Sequence, residues 1–344
     1  REALGKTSGL IRVGIINSIG QRRDRDAIPA LIQLLSDTDM ESASAAANAL
    51  GRIGGSEAAD ALEKARLKAA GSLQADILNG MLMCAEKMHT DGDNKAASAI
   101  YREIHDSSPS DQYKVAAYRG LVLTSGDGAC ELMVKALKDN DRSGHRAVLP
   151  LLREIKGESV TKRIAALLGK VPASRQIAIL EGLTQRGDPA AVPDIIKVLS
   201  SDVPDARVAA LEALAALGDA SVAPILAESA AKSTGMEQDI ARESLNRLSD
   251  PKVRETLLRC LPEAGPAMQA EIVRALGMRR ETGAVAALVK MADDGSDATR
   301  LTALKSLAML GDGKIAGDLT GRILKAATAA ERDAAEQALS AVCL

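Results

Sequence analysis

The side chains of this sequence that are best able to do chemistry are three histidines and four cysteines. They are His89, His105 and His145, and Cys84, Cys130, Cys260 and Cys343. Imidazoles and thiols bind metals or form nucleophilic dyads when they lie close together. The cysteines, however, lie far apart in apolar helical segments without CxxC spacing, and Cys84 and His89 are five residues apart, which does not bring both onto one helix face. We therefore expect four buried free thiols and no catalytic or metal site.

Other signatures of catalysis and of particular ligand classes are missing as well. The sequence has no GxSxG motif, P-loop or dinucleotide fingerprint, so no cofactor is expected. A formal net charge of −2 and the lack of Trp argue against nucleic-acid binding, which usually needs a basic face. No apolar run approaches the roughly 20 residues that cross a bilayer, so no membrane insertion is expected.

One charged pattern is periodic, because an acidic residue returns about every 31 residues. These residues are Asp24, Asp93, Asp127, Glu158, Asp188, Asp219, Asp250, Glu281 and Asp312. The position before the acid anchors a repeat, and the ten anchors are Arg23, Gly54, Gly92, Gly126, Gly157, Gly187, Gly218, Ser249, Arg280 and Gly311. A column of carboxylates could bind metals, but acids one whole repeat apart are better explained as helix caps.

Each repeat is predicted to contain two helices. In the first helix, small and apolar residues follow the 3,4 spacing of an amphipathic helix, as at Ala210, Ala213 and Leu214. The anchor glycine would end this helix in the left-handed conformation, and the acid would cap the second helix. Apolar residues recur with helical spacing in the second helix, at Ile195, Val198 and Leu199. With only 1% aromatic residues, these helices must pack closely in thin layers.

The paired helices resemble HEAT repeats, and in particular the short HEAT-like repeats of phycobilisome lyases. The resemblance rests on stretches such as Arg207 to Leu226 and Gly187 to Leu199, and it covers nearly the whole chain. It implies an all-α fold, a right-handed α-α superhelix of about ten helical pairs with a terminal helix. Because the family serves mainly as a scaffold, the resemblance implies protein interaction rather than chemistry.

Three enzyme classes with HEAT-like folds provide specific alternatives. Deoxyhypusine hydroxylases need His-Glu pairs to hold two irons, whereas the histidines here are followed by Thr90, Asp106 and Arg146. HEAT-like DNA glycosylases need a basic channel and aromatic residues near the lesion. Bilin lyases of the E/F type share the short repeat, but no further motif of this sequence supports a lyase.

The repeat is irregular between Gly54 and Gly126, where two units span 72 residues. Four residues there have the relative spacing of the tetratricopeptide (TPR) pattern, namely Ala85, Ala97, Tyr101 and Pro109. We therefore predict a TPR-like unit at residues 72–110.

This irregular segment also holds all three tyrosines and two of the three histidines. Tyrosine is favoured at interfaces, so Tyr101, His105 and Tyr113 form a candidate binding surface. The alternative is that Tyr101 and Tyr118 fill the wider gaps of a unit of different size.

A second candidate binding surface lies ten residues after the anchors, on the second helices. Five of these positions are cationic, at Lys64, Arg102, Lys197, Arg259 and Lys290. The other five are Gln33, Ala136, Leu167, Glu228 and Gly321. If the second helices line the concave surface, as in HEAT arrays, these cations form a broken basic stripe that faces an acidic partner. The interruptions favour the alternative of a solvated helix face.

The sequence thus predicts a single elongated HEAT-like repeat domain over residues 1–344. Because it begins at Arg1 and its last pattern stops at Leu344 after one helix, we expect a fragment of a longer protein. The expected function is that of a monomeric, non-catalytic scaffold that presents a concave groove to a protein or peptide. The alternatives are the non-catalytic arm of a multidomain secreted bacterial enzyme and a HEAT-like lyase. We expect a soluble protein, either cytoplasmic or exported.

Overall fold

The computed structural model describes residues 1–139, 141–310, 313–326 and 328–343, and these ranges contain 21 α-helices and no β-strand. In chain order the helices are α1 (Gly9–Arg22), α2 (Ile28–Leu34), α3 (Met40–Ile53), α4 (Ser56–Arg66), α5 (Gly71–Thr90), α6 (Asn94–Ser107), α7 (Asp111–Thr124), α8 (Ala129–Lys138), α9 (Arg142–Leu151), α10 (Glu158–Ala165), α11 (Ala173–Arg186), α12 (Val192–Val198), α13 (Pro204–Leu217), α14 (Ala223–Lys232), α15 (Gly235–Arg247), α16 (Val253–Cys260), α17 (Pro266–Met278), α18 (Val285–Asp294), α19 (Asp297–Leu310), α20 (Ala316–Lys325) and α21 (Ala329–Cys343). We call the odd-numbered helices first helices and the even-numbered helices second helices. Ten pairs followed by α21 confirm the predicted all-α repeat fold. Gly311, Asp312 and Leu344, which the sequence predictions used, lie outside the described ranges.

The helices group into two compact units, Arg1–Ile155 and Lys156–Leu344. Each unit has its own apolar core, with Leu50 and Ile77 fully buried in the first and Leu214 and Leu226 in the second. Full burial of one such side chain contributes roughly 1.5–3 kcal/mol. The single domain and the TPR-like unit stay predictions. The range 72–110 holds nearly all of α5 and the whole of α6.

The turns between paired helices follow the predicted chemistry in most repeats. Gly187 ends α11 with a φ of 75°, a left-handed conformation that costs glycine little. Gly218 instead has a φ of −79°, so the left-handed prediction is wrong at that anchor. The Asp188 and Asp219 carboxylates accept hydrogen bonds from backbone N–H groups two residues on, at 3.0 and 2.8 Å. These carboxylates cap short 3₁₀ turns that precede α12 and α14, an element that the repeat pattern does not predict.

Not every periodic acid caps a turn. Asp93 caps α6 directly, accepting a hydrogen bond from the Ala96 N–H at 3.1 Å, and Asp250 accepts one from the Lys252 N–H at 2.8 Å. In the described structure, Glu158 and Glu281 make no capping hydrogen bond, so the cap prediction is wrong at these two positions.

Within each unit the first helices are packed more closely than the second helices. A Cβ atom added at Gly51 of α3 would lie 2.6 Å from the Gly80 carbonyl oxygen of α5. One added at Gly277 of α17 would lie 2.5 Å from the Ser306 Cβ of α19. Second helices of neighbouring repeats touch at few points. In a curved two-layer array the more closely spaced layer faces inward. The packing therefore favours the first helices as the concave side, not the second helices expected from the sequence.

Ion pairs join neighbouring first helices in the second unit. Arg207 of α13 makes two hydrogen bonds to Glu237 of α15, at 2.8 and 2.6 Å. Arg300 of α19 pairs in the same way with Glu331 of α21, at 2.7 Å. A bidentate or well-aligned guanidinium–carboxylate pair fixes orientation as well as adding energy. These contacts hold the register between first helices.

Candidate binding site

The five predicted cations all lie exposed on second helices, on α4, α6, α12, α16 and α18. They are Lys64, Arg102, Lys197, Arg259 and Lys290. Lys197 is engaged by Asp194 at 2.7 Å. Two intervening positions, Ala136 and Leu167, are buried core residues, and Leu167 follows the end of α10, so they do not lie off the apolar stripe as predicted. The structure thus places the cations in water but does not make them a continuous surface.

The predicted tyrosine surface is mainly an internal contact. Only 7% of Tyr101 is exposed, and its ring covers Gly120 so closely that a Cβ atom there would overlap the ring. Tyr118 is buried and its hydroxyl donates to the Leu132 carbonyl at 2.9 Å. Burial raises the pKa of both phenols to about 12. These two rings fill space within the first unit, as the structural alternative predicted, so Tyr101 is not available to a partner.

Tyr113 and His105 are also engaged within the first unit. The Tyr113 hydroxyl donates to the Ala75 carbonyl at 3.0 Å, which joins α7 to α5. His105 hydrogen-bonds Asp106 through Nδ1 at 3.0 Å, and its ring lies 5.2 Å from the Tyr118 ring. Both side chains are half-buried and hold helices together.

The cysteines do not form a reactive site. Cys84 and Cys130 are buried as predicted, and burial raises the pKa of the Cys84 thiol to about 12. Cys260 is half-buried, and Cys343 is exposed at the end of α21, so the prediction of four buried thiols is wrong for these two. Across the described ranges, no three His, Cys, Asp or Glu side chains lie close enough to hold a metal ion. No helix there has the length and apolarity that a membrane span requires.

The feature best suited to binding is a groove of about 580 Å³ that crosses three first helices, α11, α13 and α15. Its floor is apolar and consists of Ile177, Val208, Ala209 and Met236. Met236 is 73% exposed, which is unusual for a large apolar side chain. Ile177 and Val208 are 31 residues apart and thus hold the same position in successive repeats. The groove is therefore built by the repeat itself.

Carboxylates surround this apolar floor. Glu181, Asp205, Glu212 and Glu237 line the groove, and no Lys or Arg does. Glu237 is satisfied by Arg207, whose hydrogen bonds lower the pKa of that carboxyl. The other three form no ion pair with any residue that the structure describes.

The sequence analysis missed this groove although a signal was present. Glu181, Glu212 and Glu243 recur 31 residues apart, six positions before the anchor. All three are exposed on successive first helices. Periodic charge on the first helices was not considered because the second helices were assumed to line the concave side.

The family model for HEAT repeats matches residues 1–78, 160–246 and 254–340, which is most of the chain. No curated protein sequence is significantly similar to it.

Solved structures agree on the fold at low sequence identity. The karyopherin Kap121p, bound to the extreme C-terminus of the protein phosphatase Cdc14p, is 10% identical with a TM-score of 0.51. The match covers 92% of this chain and 42% of Kap121p, so the chain spans less than half of that relative. Human deoxyhypusine hydroxylase is 17% identical with a TM-score of 0.28, and the match covers 62% of this chain and 95% of the hydroxylase. The CpcE–CpcF phycocyanin lyase from Nostoc sp. PCC7120 is 19% identical with a TM-score of 0.32, and the match covers 62% of this chain and 94% of that chain.

Proposed function

This chain belongs to the HEAT-repeat family, and from that premise we propose that it is a non-catalytic scaffold that binds an extended peptide segment of a protein partner in the groove across α11, α13 and α15. The observation that carries the proposal is the exposed apolar floor, above all Met236 and Val208. Water-exposed apolar surface gains about 0.8 kcal/mol for each CH₂ group that a partner buries. The groove thus supplies a driving force for association.

The dimensions of the groove suit a short stretch of extended chain. Neighbouring packed helices are about 8–10 Å apart, so three of them span about 20 Å. An extended peptide rises about 3.3 Å per residue, and about six residues therefore cross the floor. The inter-helix ion pair between Arg207 and Glu237 keeps the walls in place before binding, and such preorganisation lowers the entropic cost. The karyopherin of similar fold is also bound to a terminal segment of another protein.

A second candidate surface is the set of second-helix cations in the same unit, Lys197, Arg259 and Lys290. Their exposure favours an acidic partner. Glu228 occupies the equivalent position of the repeat between Lys197 and Arg259 and carries the opposite charge. This interruption makes the groove on the first helices the better site.

The double substitution Val208→Gln/Ala209→Gln tests the proposed function. Glutamine favours helices and is uncharged, so the change removes the apolar floor and fills the groove without altering the net charge. We expect peptides selected on the immobilised wild-type chain from a random dodecapeptide display library to bind this variant at least about 30-fold more weakly, since two apolar contacts of about 1 kcal/mol each are lost. The measurement is the dissociation constant by fluorescence anisotropy.

The control variant reverses the second-helix cations, Lys197→Glu/Arg259→Glu/Lys290→Glu. Peptide binding should be within about twofold of wild type in this variant. The proposed groove is rejected if the library yields no peptides, or if the selected peptides lose affinity in the control variant and keep it in the groove variant.

A further inference from the structure

We infer that the groove recognises a cationic peptide segment in which Lys or Arg residues are interspersed with apolar residues. This inference rests on the proposed function and adds the chemistry of the partner. It follows from the pairing of an apolar floor with a rim that carries only negative charge.

The charge of the groove is unbalanced within the described structure. The side chains of Glu181, Asp205 and Glu212 lie at its rim without an ion-pair partner there, and no Lys or Arg side chain lines it. Elsewhere in this unit the carboxylates of first helices are paired, as Glu237 is with Arg207 and Glu331 with Arg300. Unpaired like charges repel one another, and a cationic partner relieves that repulsion when it binds.

The arrangement of rim and floor also sets the pattern of the partner. Glu181 and Glu212 hold equal positions on α11 and α13, and Ile177 and Val208 lie one helical turn before them. Each first helix therefore offers one apolar contact and one carboxylate. A peptide that crosses the helices meets this pair once per repeat, about every three residues for helices about 10 Å apart. Cations about three residues apart with apolar side chains between them satisfy both features.

The same charges discriminate against other occupants. An acidic peptide or a phosphate backbone would bring like charge against three carboxylates, which is unfavourable at a partly desolvated surface. A purely apolar segment would cover the floor but would leave the rim charges unneutralised and poorly hydrated. The groove therefore selects for positive charge together with apolar contact.

The test uses the dodecapeptides selected on the wild-type chain as fluorescein-labelled synthetic probes. Their composition is scored first, and we expect enrichment in Lys and Arg over the unselected library. Dissociation constants are then measured for wild type and for Glu181→Gln/Glu212→Gln, which removes charge at constant shape. Each exposed ion pair contributes up to about 1 kcal/mol, so we expect binding about tenfold weaker in this variant at low salt. Raising the ionic strength should reduce the difference.

The matched control is Glu41→Gln/Glu57→Gln, two exposed carboxylates on α3 and α4 of the other unit. It makes the same change of net charge and should bind within twofold of wild type. Thermal melts by circular dichroism establish that each variant is folded.

The outcomes separate the inference from the proposed function. Peptides without cationic enrichment that bind Glu181→Gln/Glu212→Gln as wild type, yet fail to bind Val208→Gln/Ala209→Gln, overturn the cationic inference and leave the groove in place. Equal loss of affinity in the Glu41→Gln/Glu57→Gln control also overturns the inference, because the effect is then one of net charge. Unchanged binding to the Val208→Gln/Ala209→Gln variant overturns the proposed function itself.

Discussion

Replacing Gly51 with alanine should lower the free energy of unfolding by about 2–3 kcal/mol, although a helical glycine normally costs stability. The added Cβ would lie 2.6 Å from the carbonyl oxygen and 2.8 Å from the Cα of Gly80, so α3 and α5 would have to move apart. Backbone atoms cannot rotate away as a side chain does, and overpacking of this kind costs about 1–3 kcal/mol.

Gly14→Ala is the matched control for this substitution. Gly14 also lies within a first helix, α1, but it is exposed and an added Cβ meets no atom within 4 Å. Alanine is favoured over glycine in a helix by about 0.5–1 kcal/mol, so this variant should be more stable than wild type. The measurement is urea denaturation followed by circular dichroism. Equal effects of the two substitutions would show that the first helices are not in backbone contact.

Glu271→Gln is the second substitution with a large expected effect, a loss of about 2 kcal/mol at neutral pH. Glu271 of α17 has a side chain that is only 8% exposed and receives hydrogen bonds from Arg242 of α15 and from Arg274. Removing its charge leaves two guanidinium groups facing a neutral amide, and unpaired charges of this kind are strongly destabilising. The value is reduced here because both arginines are partly exposed.

The control is Glu243→Gln on α15, where the carboxylate is exposed and lies 3.8 Å from Arg247. An exposed pair at that distance contributes little, so the loss should be below about 0.5 kcal/mol. Similar losses at Glu243 and Glu271 would contradict the role of the buried pair.

The contribution of Glu271 should also depend on pH. Burial acts to raise the pKa of its carboxyl, but the hydrogen bonds from Arg242 and Arg274 outweigh burial, and the pKa lies below the ordinary value of 4.5. The unfolded chain therefore binds this proton more readily than the folded chain. The stability difference between wild type and Glu271→Gln should be constant above about pH 5.5 and should shrink as the pH falls below 4.5, measured by urea denaturation across that range.

The repeat made the helices predictable, because the 3,4 spacing of Ala210, Ala213 and Leu214 and the turn at Gly187 are local signals. All three of these stripe residues are buried as expected. The anchor conformation was less predictable, since Gly218 closes its helix with extended backbone in the same sequence context.

The site was harder to predict because it depends on which layer of helices is more closely packed. That property is set by contacts between residues far apart in sequence, such as Gly51 with Gly80. Glu271 was missed for a similar reason, since the equivalent positions of the neighbouring repeats are Ile240 and Thr302. Its burial is explained only by arginines that other turns of the fold supply.

The central claim is that the first helices, and not the second helices, form the recognition surface. Hydrogen exchange of the full chain, with and without a saturating selected dodecapeptide, tests it most directly. We expect slower amide exchange in Ala173–Arg186, Pro204–Leu217 and Gly235–Arg247, and unchanged exchange in α12, α14 and α16. Protection confined to those second helices would contradict the account.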